Sequence, residues 1–132
     1  MPSTGHLTLG KKERLTGQSL VESLFKGGGS RSMSFFPLRV VYALVEGGDA
    51  PVRLLVSVPK RYFKRAVRRN RVKRQLREAF RKNKHVLYEK VALQPEGKSL
   101  AVAFIWLDDH LHDSEAVERR VRNLLIRIGE RL

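Results

Sequence analysis

Residues 69–81 read RNRVKRQLREAFR, and two patterns overlap in this segment. The apolar positions recur at i, i+4, i+7 and i+8, the spacing of one helical face; they are Val72, Leu76, Ala79 and Phe80. At about 100° per residue, the polar positions fall on the opposite side; they are Asn70, Lys73, Arg74, Arg77 and Arg81. The segment therefore predicts a helix that packs its apolar face on a sheet and presents a cationic face outwards.

The positive charge extends beyond this helix on both sides. From Lys60 to Lys84 there are thirteen basic residues and one acidic residue, Glu78, in a chain whose net charge is +14. A solvated helix face normally intersperses both signs, because like charges repel. Such a concentrated positive field attracts a polyanion, most commonly nucleic acid. The spacing also predicts an i, i+4 ion pair between Arg74 and Glu78.

Strand patterns lie on either side of the basic segment. Residues 35–45 and 52–58 are rich in β-formers, and the short link between them predicts an antiparallel hairpin. Pro59 stops the second strand, so the short helix and tight turn of a helix-turn-helix DNA reader are missing before the basic helix. Residues 99–107 are nearly all apolar, which predicts a buried central strand. RNA is then the better match, since arginine forks suit irregular phosphate backbones.

Two further helices complete the pattern. Residues 20–25 have a short apolar face that ends at three glycines, and residues 114–132 have apolar side chains at helical spacing, with Asp113 or Ser114 as the N-cap. The order is α-β-β-α-β-α, with room for one extra short strand. We therefore expect an α+β fold, a small two-layer α/β sandwich. Residues 1–13 are predicted to be a flexible N-terminal segment, and residues 14–132 a single domain.

Composition excludes several classes of protein. The longest apolar run has eight residues, whereas a membrane span needs about 20. The first ten residues have no apolar h-region, which argues against secretion. The absence of cysteine removes disulfides, thiolate metal sites and cysteine nucleophiles, and is typical of a reducing cytoplasm. We expect a cytoplasmic protein without a membrane partner.

A polar segment before the last helix is rich in metal-ligand side chains, namely Asp108, Asp109, His110 and His112. In an extended segment the two histidines would point the same way, as some metal pairs do. The alternative is a polar loop that leads into the helix, and no other ligand cluster supports a metal. No catalytic triad or carboxylate pair is evident, so we expect no catalytic residue and no tightly bound metal in the protein.

The segment at residues 69–81 resembles the Arg-Asn-Arg signature of the protein component of bacterial ribonuclease P. Residues 56–61 resemble the strand and basic turn that precede this signature in the family, and Ala66 and Val67 match its small apolar pair. Upstream, residues 14–15 and 24–26 resemble the family's first helix. The resemblance covers about residues 11–130.

This resemblance implies a function and partners. In the family the catalytic RNA cuts the 5′ leader from precursor tRNA with Mg²⁺, and the protein binds both RNAs; no protein partner is implied. The family fold contains a left-handed crossover, whereas connectivity rules favour the right-handed form. Together with the charge pattern, the resemblance predicts RNA contacts from Lys60, Arg61, Arg65, Arg68, Arg69, Asn70, Arg71, Lys73, Arg74, Arg77 and Arg81.

The family also holds the leader in a cleft between the sheet and the first helix. The resemblance places Phe25 and Val21 there, and on period 2 Phe36 and Tyr42 share one strand face that could line it. Val21 stands where the family usually has an aromatic, which predicts weaker base stacking. Two other functions remain open, a structural RNA-binding protein of ribosomal type and a metal-dependent nuclease that uses Asp108 and its neighbours.

Overall fold

The computed structural model describes residues 30–46, 50–95 and 97–132. The predicted first helix, with Val21 and Phe25, lies outside these ranges, as does the expected flexible segment 1–13. The described chain forms four strands, β1 (Arg31–Phe35), β2 (Leu38–Glu46), β3 (Val52–Ser57) and β4 (Lys98–Trp106). Its helices are α1 (Ala66–Asn83), α2 (His85–Val91) and α3 (Ser114–Arg131).

The strands form one mixed sheet in the order β1-β2-β4-β3. β4 pairs antiparallel with β2, where Leu38 lies opposite Trp106, and parallel with β3, where Leu54 lies opposite Val102. The predicted hairpin between residues 35–45 and 52–58 is therefore wrong. β4 lies between these two strands. Its side chains are apolar on both faces of the sheet, and a central position buries them more completely than an edge position would. A parallel pair needs a crossover, and α1 and α2 provide it.

Residues 35–45, predicted as one strand, are divided at Phe36–Pro37. Proline has no N–H to donate to a ladder, and here the chain turns back so that β1 pairs antiparallel with β2, with a cis peptide at the turn. The Pro37 carbonyl accepts a hydrogen bond from the Leu107 backbone N–H at 2.8 Å, which ties the turn to the end of β4. β1 is the extra short strand that the predicted order allowed for.

The three helices pack against one face of the sheet. All four apolar positions predicted for the basic helix are buried in α1, and Leu76 and Phe80 have no exposed surface. They join one core with Val102 and Phe104 of β4 and the apolar face of α3. Burying a side chain such as Phe80 contributes about 1.5–3 kcal/mol, so this face fixes the orientation of α1 and thereby directs its basic face outwards.

Polar contacts join α1 to the start of α3. The buried Gln75 side chain donates to the His112 carbonyl oxygen at 2.9 Å and to Ser114 Oγ at 3.1 Å. Asp113 is the N-cap of α3, since its carboxylate accepts from the Ala116 N–H at 2.7 Å. The polar loop before α3 is therefore anchored to both helices. Within the described ranges, no helix is long and apolar enough to cross a membrane.

Candidate nucleic-acid interface

The outward face of α1 is strongly basic. The helix contains eight basic residues and one acidic residue. Arg68, Asn70, Arg71 and Arg74 are exposed, while Lys73, Arg77 and Arg81 are half-buried along the same helix. Sequence reasoning therefore placed the basic and apolar sides of the helix correctly. We call this side of the helix the α1 face; it is formed by Arg68, Asn70, Arg71, Lys73, Arg74, Arg77 and Arg81.

Glu78 pairs with Arg81 rather than with Arg74, so the predicted i, i+4 pair is wrong. The Arg81 guanidinium donates to both carboxylate oxygens of Glu78, with Nε at 3.0 Å from Oε1. These hydrogen bonds lower the pKa of Glu78 below its usual value. Among the described residues Arg74 has no ion-pair partner, which leaves its guanidinium available to a ligand, whereas Arg81 is already engaged.

The residues at the start of α1 do not stabilise the N-terminus of this helix. The N-cap residue Arg65 makes no side-chain capping hydrogen bond, and no acidic residue occupies the first turn. Arg68 and Arg69 instead add positive charge where the helix dipole is already positive. A phosphate near this end would offset both charges, so the local electrostatics favour an anionic partner for the α1 face.

The basic loop before α1 is held in a fixed conformation. Phe63 is buried in the core, and the Arg69 guanidinium donates to the carbonyl oxygens of Phe63 at 2.7 Å and Lys64 at 2.9 Å. Arg69 therefore positions this loop, a role that its place in the charge pattern did not reveal. The cations that the loop exposes beside α1 are Lys60, Arg61, Lys64 and Arg65.

The aromatic residues predicted for the leader cleft occupy different surroundings. Tyr42 is only 3% exposed and lies in the core on the side of the helices, so its ring offers no face for base stacking in this conformation. Phe36 lies in the β1–β2 turn and is 61% exposed. It therefore does not share a strand face with Tyr42 as the single-strand interpretation required. Phe25 and Val21 are outside the described residues.

The other face of the sheet is lined by small side chains. Val41 and Ala43 of β2 form a cluster with Ala101 and Ala103 of β4. Strand alternation places two cations on this face, Arg39, which is exposed, and Arg53, whose Nε is buried without a hydrogen-bond partner among the described residues. Sequence reasoning assigned neither arginine to a site, because single arginines in apolar strands carry no charge pattern.

The acidic and histidine side chains after β4 contact one another. His112 Nε2 lies 2.7 Å from Asp108 Oδ2, and His110 Nδ1 lies 2.7 Å from Asp109 Oδ1. Burial opposes ionisation of Asp108, but hydrogen bonds from His112 and His110 outweigh it and lower its pKa. Asp108, Asp109 and His110 could hold a cation, since their ligand atoms lie within 4.8 Å of one another. In the structure the same atoms make hydrogen bonds that fix the loop before α3.

Relatives of this chain share both its sequence and its fold. The Ribonuclease P protein component of Porphyromonas gingivalis is 43% identical over 130 residues, covering 98% of this chain and 92% of that protein. The Ribonuclease P protein component of Chlorobaculum tepidum is 32% identical over 126 residues, covering 89% and 80% of the two chains.

Solved structures give the same result. The RNase P protein from Thermotoga maritima superposes with a TM-score of 0.63 at 28% identity, covering 87% of this chain and 96% of that one. The RNase P protein from Staphylococcus aureus has a TM-score of 0.60 at 20% identity, which supports the fold alone. The family model described as Ribonuclease P matches residues 9–129. The chain belongs to the ribonuclease P protein family.

Proposed function

We propose that this protein binds the catalytic RNA of ribonuclease P through the α1 face and the basic loop before it. The single observation that carries the proposal is this surface, in which exposed cations of the loop and of α1 adjoin and are fixed by core packing and by Arg69. Guanidinium groups bind phosphates through parallel hydrogen bonds, which suits an RNA backbone. Membership of the family supports RNA as the partner.

We further propose that the holoenzyme removes the 5′ leader of precursor tRNA in the cytoplasm, with the chemistry carried out by the RNA and Mg²⁺. The protein would contribute binding and positioning, in keeping with the exposed cations of the α1 face and of the loop before it. By resemblance, the leader would lie in a cleft between the sheet and the first helix, where Phe25 would stack on a base. The sheet face opposite α1–α3, with its small side chains and the exposed Arg39, is a further surface compatible with a bound strand.

Cleavage of precursor tRNA tests the proposal directly. The reaction is run at low Mg²⁺ with catalytic RNA alone, protein alone and both together. We expect cleavage only from the combination. Cleavage by the protein alone would instead support a metal-dependent nuclease that uses Asp108 and its neighbours, and no effect in any mixture would leave a structural RNA-binding role.

Leader binding has its own test in Phe25→Ala. Stacking on an aromatic contributes about 1–3 kcal/mol per base, so this change should weaken binding of precursor more than of mature tRNA by the holoenzyme. If Phe25 belongs to the core, the change costs about 3–5 kcal/mol of stability instead and leaves the precursor-to-mature ratio unmoved. Val21→Phe is the converse variant, which should raise precursor affinity.

A further inference from the structure

A cleft lies between the β1–β2 turn and the N-terminal half of α3. It has a volume of about 270 Å³, and the residues that define it are Phe36, Trp106, His112, Arg119, Arg120 and Asn123. Drug-sized ligands occupy roughly 300–1,000 Å³, so this space suits a smaller group, of the size of one nucleotide base. We call it the turn cleft. It contains no residue of the α1 face and lies on the helix side of the sheet.

The most exposed aromatic side chain of the described residues lies at the mouth of this cleft. Phe36 is 61% exposed, whereas Phe35, Tyr62 and Tyr88 are partly covered. The turn that holds Phe36 is anchored, because Pro37 is buried and its carbonyl accepts from the Leu107 N–H. A fixed, exposed aromatic ring is a suitable platform for a stacked base, which every nucleotide can provide irrespective of sequence.

The charged and polar groups around the ring favour an anion. Among the residues that the structure describes, no acidic side chain lines the cleft. The Arg120 guanidinium is held 4.1 Å from the centre of the Phe35 ring, which fixes its position beside the cleft. Arg119 is exposed and, within the described part of the chain, its ion-pair partner is the exposed Glu115 at 3.3 Å, a weak contact that a phosphate can replace.

Two further polar groups belong to residues that line the cleft. The Asn123 side chain is exposed and presents both an amide donor and an acceptor, as needed to contact a base edge. Trp106 Nε1 is a buried donor without a partner among the described residues. An aromatic face, two guanidinium groups and an amide in one small cleft match the parts of a nucleotide, namely base, phosphate and base edge.

We propose that the turn cleft binds one unstacked nucleotide of single-stranded RNA, with the base on Phe36 and the phosphate at Arg119 and Arg120. This inference rests on the proposed function in that RNA is the partner, but it concerns a surface separate from the α1 face. The nucleotide comes either from the catalytic RNA or from the leader of precursor tRNA. The two sources share one chemistry and are separated by experiment.

The test uses full-length protein and four variants. Phe36→Ala removes the stacking face, Phe36→Trp keeps it, and Arg119→Ala removes a phosphate contact. Leu93→Ala is the matched control, since Leu93 is an 80% exposed apolar residue after α2 that does not line the cleft. For each protein, affinity is measured for catalytic RNA, and for precursor and mature tRNA after assembly with that RNA, at one salt concentration. Melting temperature is recorded alongside.

We expect Phe36→Ala and Arg119→Ala to weaken binding of one RNA by about fivefold or more, while Phe36→Trp and Leu93→Ala match the wild type. Weaker binding of catalytic RNA assigns the nucleotide to it, and weaker binding of precursor but not mature tRNA assigns it to the leader. Phe36→Ala could also lower the melting temperature. In that case, wild-type RNA affinity of the Phe36→Trp variant would show that the aromatic face is what binds the RNA.

If Phe36→Ala binds all three RNAs as tightly as the wild-type protein does, the inference is overturned, and an acidic protein segment becomes the favoured occupant of the cleft. Equal weakening by Phe36→Trp and Phe36→Ala would also overturn it, because the turn and not the aromatic face would then be responsible. Arg74→Glu in the same assay tests the α1 face separately. The proposed function is therefore tested by Arg74→Glu, and the turn cleft is tested by Phe36→Ala and Arg119→Ala, so the failure of one proposal can be distinguished from the failure of the other.

Discussion

The α1 face and the turn cleft are both basic surfaces, but they are assembled in opposite ways. The α1 face comes from one continuous helix, so its cations recur within a few residues and sequence alone reveals them. The turn cleft combines Phe36 with Arg119, Arg120 and Asn123, which are more than eighty residues away along the chain. Only the pairing of β2 with β4 and the packing of α3 bring them together. A surface built within one element can be read from a sequence, whereas one built between elements requires the fold.

The largest expected effect is the salt dependence of RNA affinity, which should differ between the two surfaces. If the α1 face neutralises about six phosphates, log K for catalytic RNA should fall with log salt at a slope of about −4 to −6, roughly a thousandfold between 50 and 200 mM. Arg74→Ala should reduce this slope by about 1. Phe36→Ala should leave it unchanged, because a stacked base releases no counterions. Filter binding across a salt series measures both, and a wild-type slope near −1 would contradict a cooperative basic surface.

Charge reversal on α1 should have the next largest effect. Arg71→Glu or Arg74→Glu should weaken binding to catalytic RNA about ten- to hundredfold, because each loses a contact worth about 1–3 kcal/mol and adds repulsion. Both side chains are exposed, so circular dichroism should not change. Arg122→Glu on α3 is the matched control, since it makes the same charge change on an exposed helix position outside both surfaces. Equal loss in the control would mean that net charge, not position, governs affinity.

Gln75 links the two regions, and its removal should cost stability rather than affinity. Gln75→Ala deletes two hydrogen bonds to the loop before α3 and leaves the His112 carbonyl without this donor. We expect a loss of about 1–3 kcal/mol in the free energy of unfolding, measured by urea denaturation. Gln94→Ala removes the same side chain elsewhere and should cost less. A variant as stable as wild type would show that the contact contributes nothing to the junction.

The smallest effect concerns the pKa of His110. The hydrogen bond to Asp108, followed by the charges of Asp109 and Asp108, raises its pKa above the usual 6.5. The contribution of protonated His110 to stability is therefore complete below pH 6.5 and is lost as pH rises through the higher folded-state pKa. An NMR titration should show this shift, and Asp108→Asn should bring the pKa back down. A titration of His110 at 6.5 in the wild type would contradict the observed contacts.

Local patterns predicted α1, β3, β4 and α3 but not α2, and strand pairing and ion-pair partners required the structure. The apolar face of α1 and the buried strand β4 followed from periodicity, because each depends on neighbours within the same segment. The short link after β2 suggested a hairpin, yet β4 occupies the position beside both β2 and β3. Glu78 could pair with an arginine at either i−4 or i+3, and spacing alone does not decide between Arg74 and Arg81. The charge pattern placed Arg69 among the predicted RNA contacts but gave no sign of its hydrogen bonds to two backbone carbonyl groups.

The central place of β4 has a consequence for synthesis of the chain. β2 and β3 share no ladder, so a nascent chain that ends before residue 98 holds three strands that β4 has not yet joined. The β1–β2 hairpin alone is marginally stable in water, and α1 has no completed sheet on which to pack. The basic segment therefore leaves the ribosome before its apolar face has a completed sheet on which to pack. Its position in the fold is fixed only after β4 emerges, when most of the polypeptide has been made.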